Sequence, residues 1–246
     1  MGLKAAPEDQ ALLLELQEYD TRLQQLDHRL RTLPETARLA ELATASETLR
    51  RSVAEQAGAL EDAQAELGRV ESDVAVVEAR IERDRSRLEA SSSVKDVQAL
   101  EQELAALARR RDELEEIELV VMEKVEELEV ALSSIRLQLD AHDADVAETT
   151  ATRDAGAASV EQERERVSAD RETVAKRVPA ELLALYEKQR ARYGAGASHL
   201  RGGVSSASGV ALNATDLGAV RAAAPDDVLL CPDSSAILVR TAESGL

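Results

Sequence analysis

Aromatic side chains are almost missing from this chain. It has no Phe, no Trp and only three Tyr among 246 residues, which excludes a globular core filled by large rings. A single cysteine excludes an internal disulfide framework and fits a reducing compartment. No apolar run approaches the roughly 20 residues that cross a bilayer, and Ala11-Leu12-Leu13-Leu14 is too short for the core of a signal peptide. These absences predict a soluble, cytoplasmic protein with no membrane partner. Positive charge is also in short supply, with 30 Lys+Arg against 48 Asp+Glu and a formal net charge of −18. Residues 1–178 carry −17 of that balance and residues 179–246 carry −1. At long range such a polyanion repels phosphate backbones, which argues against general nucleic-acid binding. Among the cations Arg outnumbers Lys 25 to 5, a bias associated with GC-rich bacterial genomes.

What the chain does have is a heptad repeat. Leu12, Leu16, Tyr19, Leu23, Leu26, Leu30 and Leu33 follow at steps of four and three. After Pro34 the same spacing runs from Leu42 to Leu88, with Ser46, Gln56 and Asp84 as polar interruptions. Beyond Ser91-Ser92-Ser93 it restarts at Val97 and continues through Leu114, Val121, Leu132 and Leu139. Steps averaging 3.5 residues keep one stripe aimed at a neighbouring helix, which argues for a coiled coil.

Three helices are predicted, at about 8–33, 35–89 and 95–177. The serine link is too short for anything but an antiparallel return. Pairing Leu88 with Val97 and Ile81 with Leu104 then sets a register that reaches the first helix. The spacing predicts a long antiparallel hairpin, roughly 120 Å in length, kinked at Pro34. A first helix folded back at Pro34 into a short three-helix section is the alternative. From His142 to Ser159 the stripe weakens, and Gly156 lies inside it, so a flexible elbow is expected near the level of Pro34.

Two basic clusters lie near the hairpin tip. Arg80, Arg83 and Arg87 share one helical face, and Arg109, Arg110 and Arg111 lie opposite on the return arm. They either pair internally with Glu78, Glu82, Glu101, Glu103 and Glu113 or form a collar for an acidic partner. The tip itself, including Ser92 and Lys95, is a natural contact point because loops leave side chains unpaired.

After Pro179 the chain changes character. Ala180 to Arg192 is a further short helix, and Gly194, Gly196, Gly202 and Gly203 suggest a loose passage. Thr215 can cap a short helix through Ala223. Val228 to Cys231, a turn at Pro232–Ser235 and Ala236 to Arg240 form a β-hairpin pattern. Leu212, Leu217, Val228, Leu230, Ile237 and Val239 are expected to pack together and against the helix at 180–192. Two domains follow from this division, a coiled-coil hairpin at 1–178 and a short helix with a small β-rich module at 179–246.

The segments Val94 to Leu104, Pro179 to Tyr186 and Asp227 to Arg240 resemble those of the bacterial coiled-coil zinc-ribbon proteins. The resemblance covers nearly the whole chain and implies a kinked helical hairpin followed by a ribbon with two Cys-x-x-Cys knuckles. Carried onto this sequence, the ligand positions are Ser205, Ser208, Cys231 and Ser234. Three of the four thiols are therefore absent, the ribbon is degenerate, and no metal or other cofactor is expected.

No enzyme motif survives inspection. Gly203-Val204-Ser205-Ser206-Ala207 lacks the last glycine of a nucleophile elbow. Gly194-Ala195-Gly196 follows a helix and lacks the third glycine of a dinucleotide loop. His28, His142 and His199 are scattered, and His142 falls on the stripe, where it is expected as a seam residue. A non-enzymatic adaptor or chaperone-like protein is expected, binding another protein through the rod or its tip, as a monomer or weak homo-oligomer. The resemblance implies partners such as an alternative sigma factor, flagellar or secretion components, or messenger RNA. RNA or DNA binding through the C-terminal module is the alternative.

Overall fold

A computed structural model describes residues 2–246. Three long helices come first, α1 (Pro7–Arg31), α2 (Pro34–Ala90) and α3 (Val94–Ala175). They are followed by α4 (Ala180–Tyr193), β1 (Ala197–Arg201), β2 (Val204–Ser205), α5 (Ala214–Ala222), β3 (Leu229–Leu230), β4 (Ile237–Val239) and a 3-10 turn (Ala242–Ser244). The fold is mainly α, a long helical hairpin with a small C-terminal sheet, as the sequence predicts. Residues 37–151 form one compact unit. The segments up to 36 and 152–246 together form the other.

The helix boundaries have local causes. Pro7 stands at the start of α1, where a missing N–H costs nothing, and Glu8 and Asp9 complement the positive end of the helix. At the other end Thr32 donates its backbone N–H to Arg29 and His28 and its hydroxyl to the His28 carbonyl at 2.9 Å. Pro34 then disfavours a helical conformation at Leu33, so α2 must start anew. The return between α2 and α3 is residues 91–93, and the Ser93 hydroxyl accepts from the Asp96 N–H at 3.4 Å.

Within residues 37–151 the two helices run antiparallel along the predicted seam. Leu42, Ala63, Ile81, Leu100, Leu114, Val121 and Leu132 are buried. Ser46 and Asp84, the polar interruptions of the stripe, are buried with them. Most other seam positions, such as Leu49, Leu60, Val74, Val125 and Leu139, are only half-buried, because a single neighbouring helix covers one side of each. The ion pairs Arg80–Glu103, Lys124–Glu66 and Arg50–Asp143 cross the seam. His142 is a seam residue as expected, its Nε2 lying 2.8 Å from the Leu42 carbonyl oxygen. A carbonyl only accepts, so Nε2 carries the proton.

In the second unit α1 lies antiparallel to the C-terminal part of α3, joined by Arg22–Glu163 and Arg164–Asp27. α1 thus pairs with the C-terminal part of α3, as the extended register predicts. The sheet has strand order β2-β1-β4-β3, with β1 and β4 parallel and the outer pairs antiparallel. Ile237, Leu238 and Val239 are all fully buried, and alternate side chains of a strand face opposite ways. Ile237 and Val239 join Leu13, Leu16, Val174, Val178, Leu182 and Tyr186 in one cluster. Leu238 joins Leu200, Leu212, Val220 and Cys231 in the other. Each fully buried Leu or Ile contributes on the order of 1.5–3 kcal/mol.

Three local expectations are corrected. The stretch after Gly194 is no loose passage, because β1 at Ala197–Arg201 is a central strand. The cap of α5 is Asn213, whose side chain accepts from Asp216 N at 2.9 Å, since Thr215 already lies in the first helical turn. Leu230 is 47% exposed rather than in the core. Its neighbour Leu229 points to the covered face of β3, and strand alternation sends Leu230 to the open one.

Gly156 lies inside α3, and an added Cβ would meet only Leu33 Cδ2 at 3.8 Å. Gly156→Ala is expected to stabilise the chain by about 1 kcal/mol, read as a raised thermal midpoint. In the unmodified protein hydrogen exchange across 142–159 should be faster than across 100–135, and equal protection of the two segments would refute a soft stretch there.

Candidate functional site

A buried polar cluster organises the second unit. Asp20 on α1 is 2% exposed. It accepts from Arg171 Nε at 2.7 Å and Nη2 at 3.0 Å, and from the Tyr186 hydroxyl at 2.7 Å. Arg171 also donates to Glu187 at 2.6 Å, and Arg190 donates to the other oxygen of Glu187 at 2.9 Å. The hydrogen bond to Asp20 raises Arg171 further above its usual range. Burial raises the Tyr186 phenol, and the bond to Asp20 adds to it. Gln17, one turn from Asp20, accepts the Gly196 N–H at 2.7 Å. The Tyr186 ring lies so close over Gly196 that a Cβ there would sit 2.5 Å from it. The cluster ties α1, α3, α4 and the entry to β1 together. All of its charges are matched, so it reads as a structural lock.

The positions that the zinc-ribbon resemblance marks come partly together. Ser205 and Cys231 are buried, and the Ser205 hydroxyl lies 2.6 Å from that of Ser198. Burial pushes the Cys231 thiol up. The hydroxyls of Ser205 and Ser234, with the backbone of Ser234 and Asp233, outweigh this and leave it below its ordinary value. Ser208 accepts the Val210 N–H at 3.3 Å in the turn after β2. This donor set is one thiol and three hydroxyls. Serine hydroxyls stay protonated and bind zinc poorly, so these residues do not fit the four-ligand zinc that the resemblance implies. Among the described residues no group of three or more His, Cys, Asp or Glu is placed to hold a metal.

A groove of about 430 Å³ lies between α1 and β1, lined by Leu14, Gln17, His199, Arg201 and Ser206 among others. Most of its polar groups are already engaged, although Glu18, which also lines it, makes no ion pair among the described residues. Gln17 holds Gly196, His199 Nε2 lies 2.8 Å from the Thr241 hydroxyl, and Arg201 pairs with Glu243 at 2.6 Å.

The basic clusters lie in the other unit and are partly consumed by internal pairs. Arg80 pairs with Glu103 and Asp84, and Arg87 reaches Asp84 at 3.2 Å. Arg110 pairs with Glu113 at 3.2 Å, and Arg111 with Asp112 at 2.9 Å and Glu115 at 3.1 Å. Arg83 donates to its own helix at Ala79. Among the described residues Lys95 and Arg109 make no ion pair. Ser92 lies in the link, exposed, beside Val94 at 75% exposure. Sequence reasoning missed the buried Asp20 cluster, because Arg171 is one of eight arginines in α3 and nothing local marks it out.

The CT398-like coiled coil hairpin domain matches residues 16–194. The chain belongs to that family. The uncharacterized protein Rv2229c of Mycobacterium tuberculosis is 34% identical over 239 residues, covering 97% of this chain and 98% of the relative. A solved structure from Mycobacterium smegmatis is 35% identical and aligns with a TM-score of 0.87 over 97% of this chain and 100% of that one. CT398 from Chlamydia trachomatis, at 20% identity, shares the fold with a TM-score of 0.64 over 94% and 97% of the two chains. The domain match ends with α4, so it includes Asp20, Arg171 and Tyr186 and stops short of the sheet.

Two outcomes test the lock. Gly196→Ala should destabilise the chain by about 1–3 kcal/mol, because backbone and a buried ring must move apart. Tyr186→Phe should cost about 1.5–3 kcal/mol by removing a hydrogen bond to a buried carboxylate. Urea unfolding of the full chain reads both. The acid limb tests Glu187. Burial pushes its carboxyl up, but hydrogen bonds from Arg171 and Arg190 outweigh this and hold it below the usual 4.5. A depressed folded value means stabilisation that is present above the unfolded value and lost as pH falls through the folded one. The urea midpoint should therefore drop over roughly pH 5 to 3, and Glu187→Gln should make that drop shallower.

Proposed function

We propose that this protein is a non-enzymatic adaptor or chaperone-like factor that binds another protein through its helical hairpin or the hairpin tip. The observation that carries this reading is the tip. Val94 stands 75% exposed in the first turn of α3, next to the serine link, with Lys95 and Arg109 free of internal ion pairs among the described residues. An exposed apolar side chain beside the uncommitted Lys95, with Arg109 about four turns along the same helix, offers a contact surface at the rod end. The burial of Ser205, whose hydroxyl is spent on Ser198, supports the non-enzymatic reading, as do the hydrogen bonds and ion pairs that hold Gln17, His199 and Arg201 of the groove by β1. Serines at three of the four positions that the zinc-ribbon resemblance marks support the hairpin as the working part. The net charge of −18 weighs against nucleic acid as partner.

Affinity purification with the full chain as bait, from its native cell, tests the reading. A specific protein should be recovered in stoichiometric amount, and a low-salt filter-binding titration should retain neither RNA nor DNA. Recovery of nucleic acid alone, or of nothing beyond the bait, refutes it. Lys95→Glu with Arg109→Glu then locates the contact, since loss of the partner assigns the tip and retention assigns the flank of the hairpin.

A further inference from the structure

A two-helix seam needs apolar residues on one stripe, yet one stretch of α3 is apolar nearly all round. In residues 117–122 Val121 is buried in the seam. Ile117, Leu119, Val120 and Met122 are all exposed, Leu119 and Val120 by 61% and 66%. The single polar residue of the stretch, Glu118, is half-buried instead. At about 100° per residue the exposed side chains point to several sides of the helix. Apolar-out and polar-in is the inverse of a solvated coiled-coil face, and a helix apolar all round is ordinarily covered. The patch also continues. Val130 and Leu137 are 71% and 67% exposed, and both lie on the same outer line as Leu119.

The charge along this face is mostly negative, with five glutamates against Lys124 and Arg136 between Ile117 and Leu137. Upstream, Asp112, Glu113 and Glu115 are paired with Arg110 and Arg111. Downstream, Glu123, Glu126, Glu127 and Glu129 make no ion pair among the described residues. Glu123, Glu126 and Glu127 line one shallow hollow with Val130. Of the two cations, Lys124 turns to Glu66 on α2 at 3.8 Å, and Arg136 sits at the far end beside Leu137. A second copy of this chain would bring the same glutamates against these and be repelled. The complementary surface is a helix with an apolar stripe and Lys or Arg along its edges.

We propose that the outer face of α3 between Ile117 and Leu137 docks a basic amphipathic helix of another protein. The inference rests on the adaptor reading and names the chemistry of its partner. Its probe is a synthetic Leu/Lys peptide of amphipathic helical order, compared with an isomer of the same composition whose order is not amphipathic. Titrated by fluorescence anisotropy at physiological salt, the full chain should bind the first about tenfold tighter or more. Leu119→Gln with Val120→Gln and Val130→Gln should abolish that preference while circular dichroism and the thermal midpoint stay unchanged. Glu126→Gln with Glu127→Gln should weaken binding and lower its salt dependence. Equal binding of the two peptides, or unaltered binding by the apolar triple variant, overturns the proposal. So does sedimentation showing a dimer of the unmodified chain that the triple variant dissociates. A native partner retained by both the triple variant and the tip variant overturns this surface and leaves the adaptor reading standing, whereas the absence of any native protein partner defeats both.

Discussion

The carboxylate of Asp20, buried beneath Arg171 and Tyr186, is the constraint on which the unit containing the sheet depends. A buried charge is tolerated only when it is paired and fully hydrogen-bonded. Satisfying Asp20 requires a side chain from α3 and one from α4 at the same point, at 2.7 Å each. That requirement fixes how α4 turns back after Pro179. Once Tyr186 is held there, its ring permits only a glycine at 196. β1 starts at Ala197, and the pairing of Ala197 with Ile237 carries the constraint into β4. Breaking one member leaves an uncompensated charge, so the cluster specifies geometry more than it adds net stability.

The small module solves a size problem by sharing its core. Fewer than 70 residues lie beyond Pro179, a length at which a core standing alone is marginal. Ile237 and Val239 therefore pack on Leu13 and Leu16 of α1 and Val174 of α3. The N-terminal stretch contributes as well, with Ala5 N–H donating to the Asp226 carbonyl at 2.9 Å and Val228 N–H to Leu3 at 3.1 Å. Arg240 gathers the carbonyls of Ala223, Ala224 and Asp227 and closes the loop after α5. Hydrogen bonds and borrowed apolar surface thus hold the small module in place together.

The hairpin unit was legible because its physics is one-dimensional. A 3.5-residue period fixes which side chains face a neighbour, and a three-residue link fixes the direction of return. Leu42, Ile81, Leu114 and Val121 are buried where the period puts them, and so is Asp84, an exception visible in the sequence. The free cations near the tip were less legible. Whether Arg80 or Arg109 finds a carboxylate depends on the side chain opposite, and only one of the two does. The outward apolar patch at 117–122 was present in the sequence too, but heptad reading counts the residues that fit the stripe and passes over those that do not.

By itself, then, the sequence determined the helices, their antiparallel pairing and the break at Pro34. Each of these follows from local periodicity or a fixed backbone restriction. Tertiary structure alone decided that Asp20, Arg171 and Tyr186 meet, that Leu13 shares a core with Ile237, and that the passage after Gly194 is a central strand. The first two join residues 151 to 224 positions apart in the chain, and β1 meets β4 across 40. No periodicity reports a pairing at such a distance, because it is set by which buried surfaces and charges satisfy one another once the helices are in place.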